Sequence, residues 1–169
     1  GIIMYTSFIF AAVFIGYAIG VAPIVSYNYG AQTHAELKNV LKKSLVLNAV
    51  SGAVMTVISA SLAKVLASIF VSYDPELLSM TTTAIRIYSV SFIFMGINIF
   101  TSSFFTALNN GLISAIVSFS RTLVFQIGAV LLLPLAFGIN GIWKAIIVAE
   151  GLAFVMDAIF IFVYRKKYN

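Results

Sequence analysis

The stretch Gly20–Lys43, GVAPIVSYNYGAQTHAELKNVLKK, decides how the chain is read. It leaves an apolar run through Pro23, passes a polar Tyr27-Asn28-Tyr29-Gly30 turn, and sets Lys38, Lys42 and Lys43 along the start of the next apolar run. Basic residues gathered beside a membrane span mark its cytoplasmic end. This turn is therefore expected inside the cell, with the amino end of the chain outside.

The composition agrees with a membrane setting. With 62% apolar and 9% charged residues and a mean hydropathy of +1.08, the chain lies outside soluble domains, in which about a quarter of residues are charged. A chain of 169 residues cannot hide so many apolar side chains from water. The net charge of +5 raises the question of nucleic acid, but the Lys and Arg residues are scattered over loop ends and single positions within apolar runs, with no basic stripe. The charge reads as topology, and no nucleic-acid partner is expected. The absence of cysteine removes disulfides, thiol chemistry and Cys-based metal sites from consideration. The opening Gly1-Ile2-Ile3 has no Met and no charged leader and already lies in an apolar run, which predicts a fragment of a longer polypeptide.

Five apolar segments are expected to span the membrane, at about Ile2–Tyr29, Ser44–Val71, Leu77–Leu108, Leu112–Phe137 and Gly141–Tyr164. Each exceeds the ~20 residues that cross a bilayer as a helix. None has the short alternating pattern of an outer-membrane barrel. The fold class is therefore all-α, a polytopic transmembrane bundle forming one domain over residues 1–169. The first three spans are long enough that they must tilt, bend or protrude. Basic connections around His34–Lys43 and Arg165–Lys167 alternate with the acidic Asp74-Pro75-Glu76 and the nearly neutral Phe137–Gly141, which places the carboxyl end in the cytoplasm. Asp74-Pro75-Glu76 also reads as a helix start, with Asp74 as N-cap and Pro75 at the first helical position.

Charges inside a span are costly and are functional candidates by default. Glu150 and Asp157 stand seven residues apart in the last span, on one helix face and roughly 10 Å apart along the axis. Arg121 in the fourth span falls at the depth of Asp157, so a structural Arg121–Asp157 ion pair is expected, because an unpaired buried charge is far costlier than a satisfied one. Glu150 is then left without a mate, since Arg86 reaches it only from a deeply tilted helix. Two readings of Glu150 stay open: a proton or cation site, or a carboxyl bonded to a neighbouring Ser or backbone group. Asn98, with Thr101, Ser102, Ser103 and Thr106 after it, either lines a cavity and contacts a cation or packs helices together through small polar groups. Lys64 reads as a snorkelling residue and His34 as a solvated one. Pro23, Asn28 and Gly30 are the candidate cytoplasmic hinge. No metal-ligand spacing, nucleophile motif or phosphate loop appears, so neither a catalytic residue nor an enzymatic activity is expected.

Several of these stretches carry a family resemblance. Ala22-Pro23-Ile24-Val25-Ser26-Tyr27-Asn28-Tyr29-Gly30-Ala31 is similar to the pattern closing the second helix of a lobe in multidrug and toxic compound extrusion (MATE) transporters. Ser120-Arg121-Thr122-Leu123, Leu132-Leu133-Pro134 and Gly138-Ile139-Asn140-Gly141-Ile142-Trp143-Lys144-Ala145 resemble the stretch between that family's last two helices, and Glu150 stands where many members carry an acid after the Trp. The resemblance implies a twelve-helix antiporter of two six-helix lobes, of which this chain matches helices eight to twelve. It further implies export of organic cations in exchange for H+ or Na+ by alternating access, with membrane lipid, a cationic substrate and a missing amino-terminal lobe as partners. The family's coupling carboxylates lie in helices absent here or in the tenth, whose counterpart has only Glu76 at its outer end. That departure points to the missing amino-terminal lobe for coupling, with Glu150 and Asn98 as the secondary candidates on this chain. A lipid-linked saccharide flippase of the same superfamily and a non-transporting scaffold subunit are the alternatives.

Overall fold

Lipid offers no hydrogen bonds, so a chain this apolar must satisfy its backbone within each segment, and it does so as helix. The computed structural model describes residues 1–167, among which no strand occurs. In order the elements are α1 (Ile2–Gly30), α2 (His34–Ser61), α3 (Ala63–Val71), α4 (Pro75–Ser89), α5 (Phe92–Ala107), α6 (Gly111–Phe119), a π-helical segment (Ser120–Gln126), α7 (Ile127–Phe137), α8 (Ile139–Val163) and a closing 3-10 turn (Tyr164–Lys167). Four stretches are long and apolar enough to cross a bilayer: α1, α2, the run from α6 through α7, and α8. A fifth arises if α4 and α5, bent by 49°, are taken as one. Most large apolar side chains on these helices, Ile9, Val57 and Leu135 among them, point outward. The chain is a multi-pass α-helical membrane protein.

The second and third helical stretches differ from their sequence-based bounds. Helix α2 starts at His34, ten residues before the expected Ser44, because Leu37, Leu41, Ser44, Asn48 and Gly52 bury one stripe at helical spacing while Lys38, Lys42 and Lys43 occupy the exposed side. The third stretch is broken at Val90–Ser91. Ser89 Oγ donates to the carbonyl of Arg86 at 2.7 Å, and Thr56 of α2 donates to the carbonyl of Ser89 at 2.8 Å. Hydroxyls inserted into the backbone ladder are a recognised cause of kinks. At its other end, Asp74 caps α4 by accepting from the amides of Glu76 and Leu77 at 2.9 and 3.1 Å.

The turn after α1 is tied by one side chain. Asn28 donates to the carbonyl of Ile24 at 2.9 Å, and its Oδ1 accepts from Thr33 at 2.7 Å. The left-handed backbone falls at Gln32, φ 56°, while Gly30 remains helical and Pro23 lies inside an unbroken α1.

Helix α5 is the hub, packed against α1, α2, α6 and α8. Phe100, Phe104, Phe105 and Leu108 fill the space between it and Val25, Leu37, Leu41, Ile113 and Val117. The small polar strip on α5 serves packing: Ser102 bonds Ser114 and Ser118 at 3.1 and 2.7 Å, and Thr106 bonds Ser114 at 2.6 Å. Two glycines set helix approach. A Cβ on Gly52 would stand 2.5 Å from the carbonyl oxygen of Phe92, and one on Gly141 would stand 2.6 Å from that of Leu133. Between α7 and α8, Gly138 turns the chain with φ +61°, a conformation open to glycine at little cost.

The backbone contact at Gly52 predicts that Gly52→Ala destabilises the bundle by about 1–3 kcal/mol, the usual range for overpacking. Gly16→Ala, whose added methyl meets nothing, should cause no loss. Thermal melts in detergent check the pair, and equal melting of Gly52→Ala and wild type would show that α2 and α5 do not approach so closely.

Candidate functional site

Three helical elements bring one polar residue each to the middle of the bundle. Asn98 lies midway along α5, Glu150 midway along α8, and Arg121 in the π-helical segment. Arg121 Nη2 donates to Glu150 Oε1 at 2.7 Å, and Arg121 Nε donates to Oε1 and Oε2 at 3.0 and 3.1 Å. Asn98 Nδ2 completes the set, donating to Glu150 Oε2 at 2.6 Å and to the Glu150 carbonyl at 3.0 Å. Glu150 thus receives donors from both flanking helices. Its side chain is 8% exposed and that of Arg121 23%. Charge-assisted bonds of this forked kind are stronger than neutral ones and fix orientation.

The pairing corrects the sequence-based expectation. Arg121 joins Glu150, and Asp157 is fully buried with both carboxyl oxygens lacking a hydrogen-bond partner among the described residues. The physical reason is the π-helical segment. Its i→i+5 bonds make a wider, shorter turn than the α-helix assumed in counting depth, which brings Arg121 nearer the α7–α8 hairpin and so nearer the level of Glu150. A π turn leaves no period in the sequence, so counting α-helical residues could not find it. Of the two readings of Asn98, interhelical hydrogen bonding is the one seen, from α5 to Glu150 of α8, and its neighbours Ser102 and Thr106 likewise join helices. Arg86 stays exposed and away from Glu150, and Lys64 is exposed on α3.

Two clefts approach this centre from opposite ends of the bundle. One of about 850 Å³ opens between α2 and α8, with Lys38, Lys42 and Arg165 toward its mouth and Ile97, Phe154 and Asp157 deeper in. The other, of about 530 Å³, is bounded by the start of α1, α4 and the α7–α8 hairpin, and includes Tyr88, Gln126 and Trp143. Tyr88, edge-on to Phe92, lies within electrostatic reach of Glu150 and Arg121. Sequence reasoning passed over Tyr88 because a tyrosine in an apolar run reads as filler; its neighbours Ser89 and Ser91 at the helix break were the available signal.

The MatE family model matches residues 1–131 of the chain. Among solved structures, the chain is similar to one described as the inward-facing conformation of a multidrug resistance MATE family transporter of the MOP superfamily. The TM-score is 0.82 at 18% identity, covering 97% of this chain and 40% of that one. A crystal structure of MATE in complex with MaL6 gives 0.82 at 18% identity, covering 98% and 39%. The chain therefore spans about two fifths of the length of these structures. A search of curated proteins returns no match.

Removing one partner of a buried ion pair leaves an uncompensated charge, at a cost of about 3–5 kcal/mol. Arg121→Met should destabilise the bundle by about that amount, and the double variant Arg121→Met/Glu150→Met should recover most of it. Denaturant or thermal unfolding of the three proteins in detergent measures the coupling; additive losses would mean that the two side chains do not pair.

Proposed function

Because the chain belongs to the MatE family, we propose that it forms the carboxy-terminal lobe of a secondary active antiporter that exports organic cations in exchange for H+ or Na+. The observation carrying this reading is the carboxylate of Glu150, buried mid-bundle and held from either side by Arg121 and Asn98. A carboxylate so placed is expensive unless it is paired, and its pairing can be broken by a small cation. H+ or Na+ arriving at Glu150 competes directly with Arg121, and the loss of the ion pair loosens α8 from the π-helical segment. Binding energy for the ion thereby becomes a bias between two helix packings. In alternating access, such a bias tilts one lobe against the other around a shared cleft; the partner lobe is the amino-terminal half of the transporter. The turn at residues 31–33, tied to the end of α1 by Asn28, serves as the cytoplasmic hinge between α1 and α2, with Pro23 and Gly30 on its helical side.

The basic residues give the orientation. Lys38, Lys42, Lys43, Arg165 and Lys166 gather at one end of the sequence-ordered spans and Asp74 and Glu76 at the other, so the α1–α2 turn lies in the cytoplasm of a plasma-membrane protein. A membrane scaffold would need neither this charge pair nor its companion amide.

Two measurements test the reading. In cells expressing the native gene, Glu150→Gln should abolish most export of a fluorescent organic cation and of the resistance it confers, and Asn98→Ala should reduce export less. Full export by Glu150→Gln would remove this site from coupling. These 169 residues contain no cysteine, so single cysteines placed in them, with any cysteine elsewhere in the native polypeptide replaced, report topology. A cysteine replacing Gln32 should react with an impermeant maleimide only in inside-out vesicles, and one replacing Tyr73 only in intact cells.

A further inference from the structure

Asp157 is the buried acid that the ion pair leaves unused. It is fully buried, neither oxygen has a hydrogen-bond donor among the described residues, and it sits at the inner part of the larger cleft. An ionised carboxylate in that state would be a bare charge in an apolar wall, a costly arrangement that a bound cation or proton relieves. The surroundings choose between them. Beside Asp157 the cleft wall is Ile97, Phe154, Ala158 and Ile161, hydrocarbon side chains that supply no oxygen ligands, whereas a hard metal cation requires several oxygens. An organic cation would have to pass Lys38, Lys42 and Arg165 at the mouth. A proton needs no ligands beyond the carboxyl itself and no room beside it.

We infer that Asp157 is a second proton-binding site and that Asp157 and Glu150 share Arg121, each acid pairing with it while the other carries the proton. Three features support the exchange. Glu150 and Asp157 lie on one face of α8, roughly 10 Å apart along the axis, and Arg121 is close enough to act electrostatically on Asp157 while bonded to Glu150. Between the two acids that face carries the small, fully buried Ala153 beside Phe154, so the guanidinium would pass on the Ala153 side. The π-helical segment at Arg121 is the irregular element from which such a swing would start, a place where functional sites recur.

The exchange balances. In the arrangement described, Arg121 is paired with Glu150, and Asp157 is the protonated acid. A proton arriving at Glu150 from the Tyr88 side forms an O–H bond there and breaks the ion pair. Arg121 turns to Asp157, whose O–H bond breaks, and that proton leaves through the cleft. One proton enters, one departs, and the three side chains keep a net charge of zero. The charged groups facing Asp157 are Arg121 from the π-helical segment, Glu150 on its own helix, Lys38 and Lys42 from α2, and Arg165 from the closing turn.

The inference rests on Glu150 as the coupling carboxyl, yet it is read by a different measurement from export. Infrared difference spectra of the polypeptide expressed from its native gene, purified in detergent, should show a protonated-carboxyl stretch at neutral pH. Asp157→Asn should lose that band entirely, and Asp157→Glu, which keeps an acid should the Asn variant fail to fold, should move its frequency. Glu150→Gln should weaken the band, because the released Arg121 ionises Asp157. A band unchanged by both Asp157 substitutions would overturn the proton site, and one unchanged by Glu150→Gln would overturn the sharing of Arg121. Export lost in Glu150→Gln with an unaltered band would leave the antiporter reading standing without this inference.

Discussion

The pairing of Arg121 with Glu150 is the constraint around which α5, the π-helical segment and α8 are arranged. In lipid, helices gain little by burying apolar surface against one another, since the tails are as apolar as leucine. Register must come from close packing and polar contacts. The bundle uses both: glycine backbones in contact at Gly52 and Gly141, and hydroxyl pairs joining α5 to α6. Further polar ties are the 2.8 Å bond from Tyr17 to Ser44 and the 3.1 Å bond from Ser26 to the carbonyl of Ala107. Among these the ion pair is the costliest to misplace. A helix slipped by one turn would leave both charges bare.

Much of this architecture was legible because membrane folding obeys strong composition rules. Apolar runs bounded by Asn109-Asn110-Gly111 and Gly138 announced where helices end, and Asp74-Pro75-Glu76 announced where one begins. The family resemblance on Pro23–Ala31 agreed with the family match, which covers residues 1–131. Harder to read were irregularities inside helices. At the break at Val90–Ser91 a hydroxyl from another helix meets the backbone, a contact that is not local, and the π-helical turn at Ser120–Gln126 leaves no period in the sequence. The polar residues Asn98, Arg121, Glu150 and Asp157 were all identifiable as candidates, but their pairing required the depth of each, and depth is the quantity these irregularities alter.

The two ends of the bundle are chemically unlike. One cleft has a mouth of lysine and arginine and an acid within; the other is lined by Tyr88, Gln126 and Trp143 among mostly apolar side chains. The ion pair lies between them, connected electrostatically to Tyr88 on one side and Asp157 on the other. The carboxylate at the centre is held by an arginine and an amide from separate helices.

The bend between α4 and α5 has a mechanical meaning. A straight span transmits force along its axis, so pushing one end displaces the other. A span broken by 49° and tied at the break to Thr56 behaves as a cranked lever whose fulcrum belongs to a neighbour. Axial thrust on α4 becomes sideways torque on α5, the helix that carries Asn98. The stiffness of that crank is set by a hydroxyl on α2, so a substitution at Thr56, remote from every charge, would alter how displacement at one membrane surface is delivered to the bundle's centre.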